Sequence, residues 1–370
     1  MVQTTPFYTR LAHILVGMIC LFYIAIIGQT ILAPLLFALL FSLLLLPVAN
    51  FLEQRFKFSR SISSIVVLLG LIVIISGLVS LLLSQLSALT QDIPAFKQQL
   101  LVASKEIQDW ISRTFHINNT QQLSYIDSAA TDALSTGTTL LGHTLLSVSS
   151  LMLFLVFTFL YTFFMLLHRK LLLRFIISLF RDEHTIIVYD AVNQIRYIVK
   201  KYIVGLFTQM LIVTILACAA FEIIGIKYAF LLGLITGIFN VIPYIGIFTA
   251  LLLSTLITFA TMGTTDVLFV LMSVIAIHLV DSNYIMPKIV GSKVKINPLA
   301  ALLGLVIGEM VWGISGMFLS IPVIAIFKVI FDRVDGMKPW GMVLGDEDNP
   351  PVVPAAETIP KPEFVQKEKP

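Results

Sequence analysis

Charge is what this chain has least of. Only 12% of its 370 residues are Asp, Glu, Lys or Arg, against roughly a quarter in a soluble protein. It has just two cysteines, Cys20 and Cys218, both inside apolar runs, which sets aside a disulfide framework and a zinc site. It has no phosphate-binding loop, no metal-ligand cluster and no nucleophile–base set, so the chain reads as a non-enzyme without cofactor or metal. The chain leaves no room for the soluble nucleotide domain of an ATP-driven pump, so any energy is expected from ion or solute gradients. The net charge of +3 says little by itself, and its distribution says more; no nucleic-acid partner is expected. Ten-residue stretches of alternating polarity, the mark of transmembrane β-strands, are also missing.

Apolar sequence is there in abundance. Hydrophobic residues make up 58% of the chain and the mean hydropathy is +0.97. Long apolar runs follow one another from Leu11 to Phe331, which predicts an all-α polytopic membrane protein with the lipid bilayer as its solvent. Clear spans are expected at 11–33, 34–52, 62–86, 145–167, 202–224 and 267–286. The first run is too long for a signal peptide, lacks a cleavage site and is expected to stay as a helix.

Two further runs, Tyr228–Met262 and Pro298–Phe331, are too long for one crossing. A straight helix of that length would reach about 50 Å, against a hydrocarbon core of about 30 Å. Both must bend back or break, as re-entrant hairpins or as pairs of short spans. The expected architecture is therefore about six transmembrane helices plus two broken or re-entrant helical hairpins.

Basic residues set the orientation. Arg55, Lys57 and Arg60 mark one cytoplasmic loop, and the stretch from Arg169 to Lys201 marks another. The segment between them, 87–144, is expected outside as a small helical insertion, packed on itself or against another subunit. The N-terminus is then inside. Returning hairpins also keep Lys288, Lys293 and Lys295 inside, with Arg333 and Lys338. The resulting divisions are 1–86 (three helices), 87–144 (the insertion), 145–201 (a span and a cytoplasmic amphipathic helix), 202–334 and 335–370. Within 202–334, two span-plus-hairpin units, 202–262 and 266–332, form a transport core. The final stretch, rich in Pro and charge, is expected to be a disordered cytoplasmic tail.

Gly, Pro and polar residues mark where the long runs break. In the first these are Gly237, Asn240, Pro243, Tyr244 and Gly246. Asn240 can satisfy backbone groups released by a break, Pro243 removes an N–H, and Gly246 permits the turn. In the second run, Gly308 and Glu309 precede a tip expected at Trp312–Gly316, with Gly313 inside it and Pro322 beyond. "FLLGLITG" (230–237) echoes "ALLGLVIG" (301–308), which points to an inverted repeat of span plus hairpin. The tips either build turns or line a substrate path.

Ionisable residues at membrane depth are functional candidates by default. Glu222, His278, Asp281 and Glu309 qualify. His278 and Asp281 share a helical face and could pass a proton, or Asp281 with Asn283 braces the end of the helix. Glu309 is the deepest carboxylate by position and is expected to be paired or protonated. Gln209 reads as helix-packing glue.

"FNVIPYIG" (239–246), "DSNYIMPKIVGSKVKINPLAALLGLVIG" (281–308) and "WGISGMFLSIPVIAIFK" (312–328) together resemble the AI-2E family of transporters, over residues 7–333. The resemblance implies about eight membrane segments, an external insertion, a bacterial inner membrane, a homo-oligomer (a pentamer) and elevator-like movement. It places the family pattern on Asn240, Pro243, Gly246, Asp281, Pro287, Gly291, Pro298, Gly308, Gly313, Gly316 and Pro322. Glu309 departs from it, standing where a small residue is expected. The leading function is a secondary transporter exporting a small polar organic solute of the autoinducer-2 kind. The alternatives are a sodium (lithium)/proton antiporter relying on Glu309 and Asp281, with Glu222 as a further candidate, and a non-transporting membrane scaffold.

Overall fold

The computed structural model describes residues 7–91, 102, 113, 150–241, 245–262, 264–291 and 296–345. These are mostly helical, joined by short turns and links, with no strand among them. In chain order the helices are α1 (Phe7–Ile27), α2 (Gln29–Arg55), α3 (Arg60–Gln91), α4 (Ser150–Leu167), α5 (Arg169–Ser178) and α6 (Thr185–Ile224). There follow α7 (Ala229–Phe239), α8 (Ile245–Thr261), α9 (Thr264–Val280), α10 (Pro298–Phe331) and α11 (Lys338–Leu344). By length and composition alone, six described helical stretches could cross a membrane, 29–55, 60–85, 150–167, 182–224, 266–289 and 298–331, the last of them interrupted at Trp312–Gly313. The chain divides into two units, and each is taken by itself.

The first unit comprises residues 1–68, 157–205 and 290–370. Its first two helices part at Gly28, where a side chain would strike the Ile24 carbonyl at 2.8 Å and Leu32 Cδ1 at 2.9 Å. The division expected at Ala33/Pro34 is therefore moved to Gly28. Pro34 lies buried inside α2, where one missing N–H is tolerated because neighbouring groups re-satisfy the backbone. Arg169 pairs with Glu53 at 2.6 Å, and Arg333 Nε donates to Asp190 at 3.0 Å. These pairs fasten the ends of α2 and α5, and of α6 and α10.

The 34-residue α10 is doubled on itself. Trp312 and Gly313 leave helical geometry, and Gly313 takes φ +59°, a left-handed conformation that glycine adopts without a Cβ penalty. Beyond this turn the two arms run antiparallel and close together. Gly308 lies on the backbone of Gly316, and Gly304 faces Ile324 and Ser320. Glycines at these positions let the backbones meet, as small residues do between membrane helices. The tip is anchored by Trp312, whose Nε1 donates to the Ala25 carbonyl at 2.9 Å. Phe318 on the second arm stacks on Phe37, with ring centroids 5.2 Å apart. Trp312→Phe keeps the ring and removes the donor. The expected loss is about 1 kcal/mol, read as a lowered unfolding midpoint in detergent.

The tail expectation needs correcting between residues 335 and 345. This stretch forms a short 3₁₀ turn and α11, and Gly341 is buried against Asp332. The Leu344 carbonyl accepts from Asn297 N–H at 3.0 Å, tying α11 to the start of α10. Residues 346–370 lie outside the described residues, as does nearly all of the expected insertion 87–144.

The second unit comprises residues 69–156 and 206–289. The two expected span-plus-hairpin pairs are thus divided differently, because the hairpin of α10 groups with the first unit. Here the second half of α6 packs with α7, α8 and α9 around Phe221, Tyr228, Leu231, Leu232, Val270 and Val274. Helices α7 and α8 form the first hairpin. A side chain at Gly246, at the start of α8, would fall on the Phe239 carbonyl and lie 2.8 Å from Asn240 Cα. The first arm also presses on α6. Gly233 meets Cys218, and Gly237 meets Thr214 and, at 2.8 Å, the Met210 carbonyl. That glycine pair brings residue 240 within reach of α6.

Candidate functional site

The site starts from a cost. A carboxylate inside an apolar bundle must find donors, or burial penalises its charge by several kcal/mol. Asp281 is such a group, only 4% exposed, at the point where α9 ends. Its donors come from two other elements. Gln209 Nε2, on α6, donates to Asp281 Oδ1 and Oδ2, both at 3.0 Å. Asn240 Nδ2, at the end of α7, donates to Oδ2 at 2.9 Å. Three helices thus converge on one carboxylate through neutral amides.

After Asp281 the helix widens. Asp281–Ile285 and Pro287–Gly291 are π-helical, a rare geometry that concentrates at functional sites. Asn283 donates to the Leu279 carbonyl at 2.8 Å and so supports its own helix. Asp281 faces the other way, so the pair does not act together as a brace for the helix end.

Beside the carboxylate is a cavity of about 10 Å³ open to the centre of a water molecule, lined by Val213, Thr236, Asn240, Ile247, Ala250, Val274, Ile277, His278 and Asp281. That is room for about one water. Its walls are mostly aliphatic, with Thr236, Asn240, His278 and Asp281 as the polar residues. His278, one turn before Asp281, is half-buried in this wall. Thr236 turns its hydroxyl to the Leu232 carbonyl at 2.7 Å. A site of this kind can hold hydroxyl and carbonyl groups, because the carboxylate accepts and both amides donate.

The structure brings Asn240, Asp281 and His278 together, with Gly237 and Gly246 shaping the hairpin around them. Pro243 and Tyr244 lie outside the described residues. Gly308, Gly313 and Gly316 shape the second hairpin, and Pro322 is buried in its second arm. Pro298 occupies the first turn of α10, beside Asn297, whose Oδ1 accepts from Leu299 N–H at 2.9 Å. Pro287 and Gly291 bound the second π-helical stretch. Glu222 and Glu309 are both exposed, and no partner for Glu309 occurs among the described residues. Among the described residues the buried carboxylate is therefore Asp281. Sequence reasoning undervalued Gln209, although an amide in an apolar span is itself a signal for a polar partner.

Comparison with known proteins places the sequence of this chain in a family. The profile of the AI-2E family transporter matches residues 13–336. YrrI of Bacillus subtilis (strain 168) is 36% identical over 129 residues, covering 35% of this chain and 36% of YrrI. AI-2 transport protein TqsA of Escherichia coli (strain K12) is 27% identical over 157 residues, covering 42% of this chain and 44% of TqsA. YhhT of the same organism is similar over a longer stretch, 22% identical over 317 residues, or 85% of this chain and 88% of YhhT. The matched stretch spans less than half of the length of YrrI and of TqsA.

Proposed function

Because this chain belongs to the AI-2E transporter family, a multi-pass membrane protein with a transport role, we propose that it is a secondary transporter exporting a small, polar, uncharged solute of the autoinducer-2 kind. The observation that carries the reading is the buried carboxylate–amide set of Asp281, Gln209 and Asn240 at the break of the first hairpin. Neutral hydroxylated solutes need paired donors and acceptors more than they need charge. This set supplies both, and the surrounding wall is aliphatic. The name of TqsA supplies the solute class. The hairpins act as the substrate path, re-entering the membrane and not crossing it.

With this reading go a bacterial inner membrane, both termini on the cytoplasmic side and a homo-oligomer, with a pentamer as the proposed number. The basic residues around Arg169–Lys201 support the orientation. The antiporter and scaffold alternatives are not favoured. Of the carboxylates on which exchange was to rely, Glu309 and Glu222 are exposed and Asp281 is engaged by two neutral amides.

The test is flux in proteoliposomes, using a panel of labelled small hydroxylated solutes that includes autoinducer-2. Wild-type protein is expected to move at least one of them above empty vesicles, and Asn240→Ala to lower that flux roughly tenfold, equivalent to about 1.4 kcal/mol. A panel that nowhere exceeds empty vesicles, or an Asn240→Ala flux equal to wild type, would sink the proposal.

A further inference from the structure

Buried hydroxyls in membrane helices ordinarily bond to the carbonyl four residues back. Thr162 and Thr236 do so here, at 2.7 Å each. Three hydroxyls on α8 do not. Ser254, Thr255 and Thr258 each carry a buried side-chain oxygen with no hydrogen-bond partner among the described residues. Ser254 is 1% exposed and Thr258 is 0% exposed, so neither is rescued by the surroundings. Leaving such a group without a partner costs about 1–3 kcal/mol, and Ala or Val would pack as well without that cost.

Their placement on the helix supplies a reason. Residues 247, 250, 254 and 258 recur at the three- and four-residue spacing that shares one helical face. Ile247 and Ala250 on that face line the cavity beside Asp281. The opposite face, with Phe248, Leu252 and Leu256, is exposed. The wall of the cavity therefore continues along α8 as a row of small residues and unpartnered hydroxyls, away from the carboxylate and toward the far end of the hairpin.

We infer that this face of α8, from Ala250 through Ser254 to Thr258, is the continuation of the solute path: its hydroxyls take partners when a hydroxylated solute and its water pass along the hairpin. The inference rests on the transport reading above and names the route leading from that site. In the structure described the row is closed. In the passing state each hydroxyl both donates to and accepts from the solute, so the burial cost is offset only while solute is moving.

The test reads water access without needing to know the solute. Single cysteines are introduced as Ser254→Cys and Thr258→Cys, with Cys20 and Cys218 replaced by Ser and Ala, in membrane vesicles. They are challenged with a small hydrophilic methanethiosulfonate. Both positions are expected to label at least tenfold faster than Leu256→Cys on the opposite face. In parallel, Thr258→Val keeps the shape and removes the hydroxyl. It is expected to reduce flux at least fivefold with an unchanged or raised unfolding midpoint. Labelling at neither position, or a Thr258→Val flux equal to wild type, overturns the route. A route that fails while Asn240→Ala still lowers flux would leave the transport reading standing, which separates the two.

Discussion

Asp281→Asn should bring transport to background while the protein still folds and reaches the membrane. The substitution is nearly isosteric, so packing around α9 is retained. What changes is the hydrogen-bond count. The carboxylate presents two acceptor oxygens to Gln209 Nε2 and Asn240 Nδ2. An asparagine presents one oxygen and one NH₂, and the NH₂ meets a donor whichever way the amide is turned. With Gln209 held in its present orientation, at least one buried N–H is then orphaned, at about 1–3 kcal/mol. If the solute uses the same oxygens, the loss in flux is about 100-fold, corresponding to about 2.7 kcal/mol. Initial rates in proteoliposomes measure the flux, and a thermal melt checks the fold. A double change with Gln209→Leu should be markedly non-additive, since both changes act on one network. Equal flux in wild type and Asp281→Asn would mean that the carboxylate only holds helices together.

The second large effect belongs to the α10 hairpin. Gly308→Val should prevent its arms from closing. A single Cβ at Gly308 would already lie 2.6 Å from the carbonyl carbon of Gly316. That atom is backbone and cannot rotate away as a flexible side chain would. Overpacking of this kind costs about 1–3 kcal/mol even where side chains can shift, and valine adds two methyl groups to the clash. Gly316→Ala should be disruptive for the reciprocal reason, because its Cβ would fall on the Gly308 carbonyl. Expression and monodispersity in detergent should drop for both, while Gly336→Ala, which has open space, is the matched control. Normal size-exclusion profiles for both hairpin variants would contradict the close approach.

Much of the fold could be read in the sequence, for identifiable reasons. Runs too long for the bilayer demanded a break, and Gly, Pro and Asn marked where. The non-helical pair at Trp312–Gly313 lies within the tip expected from "WGISG". Asn240 stood out as a polar residue in an apolar run and does lie at the first break. Partnership was harder to read. Gln209 and Asp281 are 72 residues apart in sequence, and helical periodicity assigns faces without saying which faces meet. Glu309 was expected to be paired or protonated from its place along an apolar run, but that place does not say which side of the helix the residue occupies, and the side is an exposed one. The α11 helix escaped because seven residues are too few to show a period, and the Pro-rich stretch beyond dominates the local composition.

The widened turns after Asp281 bear on how relatives are compared. A π-turn holds one residue more than the α-turn it replaces. Each residue gained or lost there rotates everything downstream by about 100° around the axis. A relative with one residue fewer between Asp281 and Gly291 could keep the carboxylate in place yet present a different face of its chain at the position of Pro287. Ungapped alignment across this stretch would pair residues that share a column and not a direction. The phase of the helix on each side should be matched separately, with any gap placed inside the wide turns.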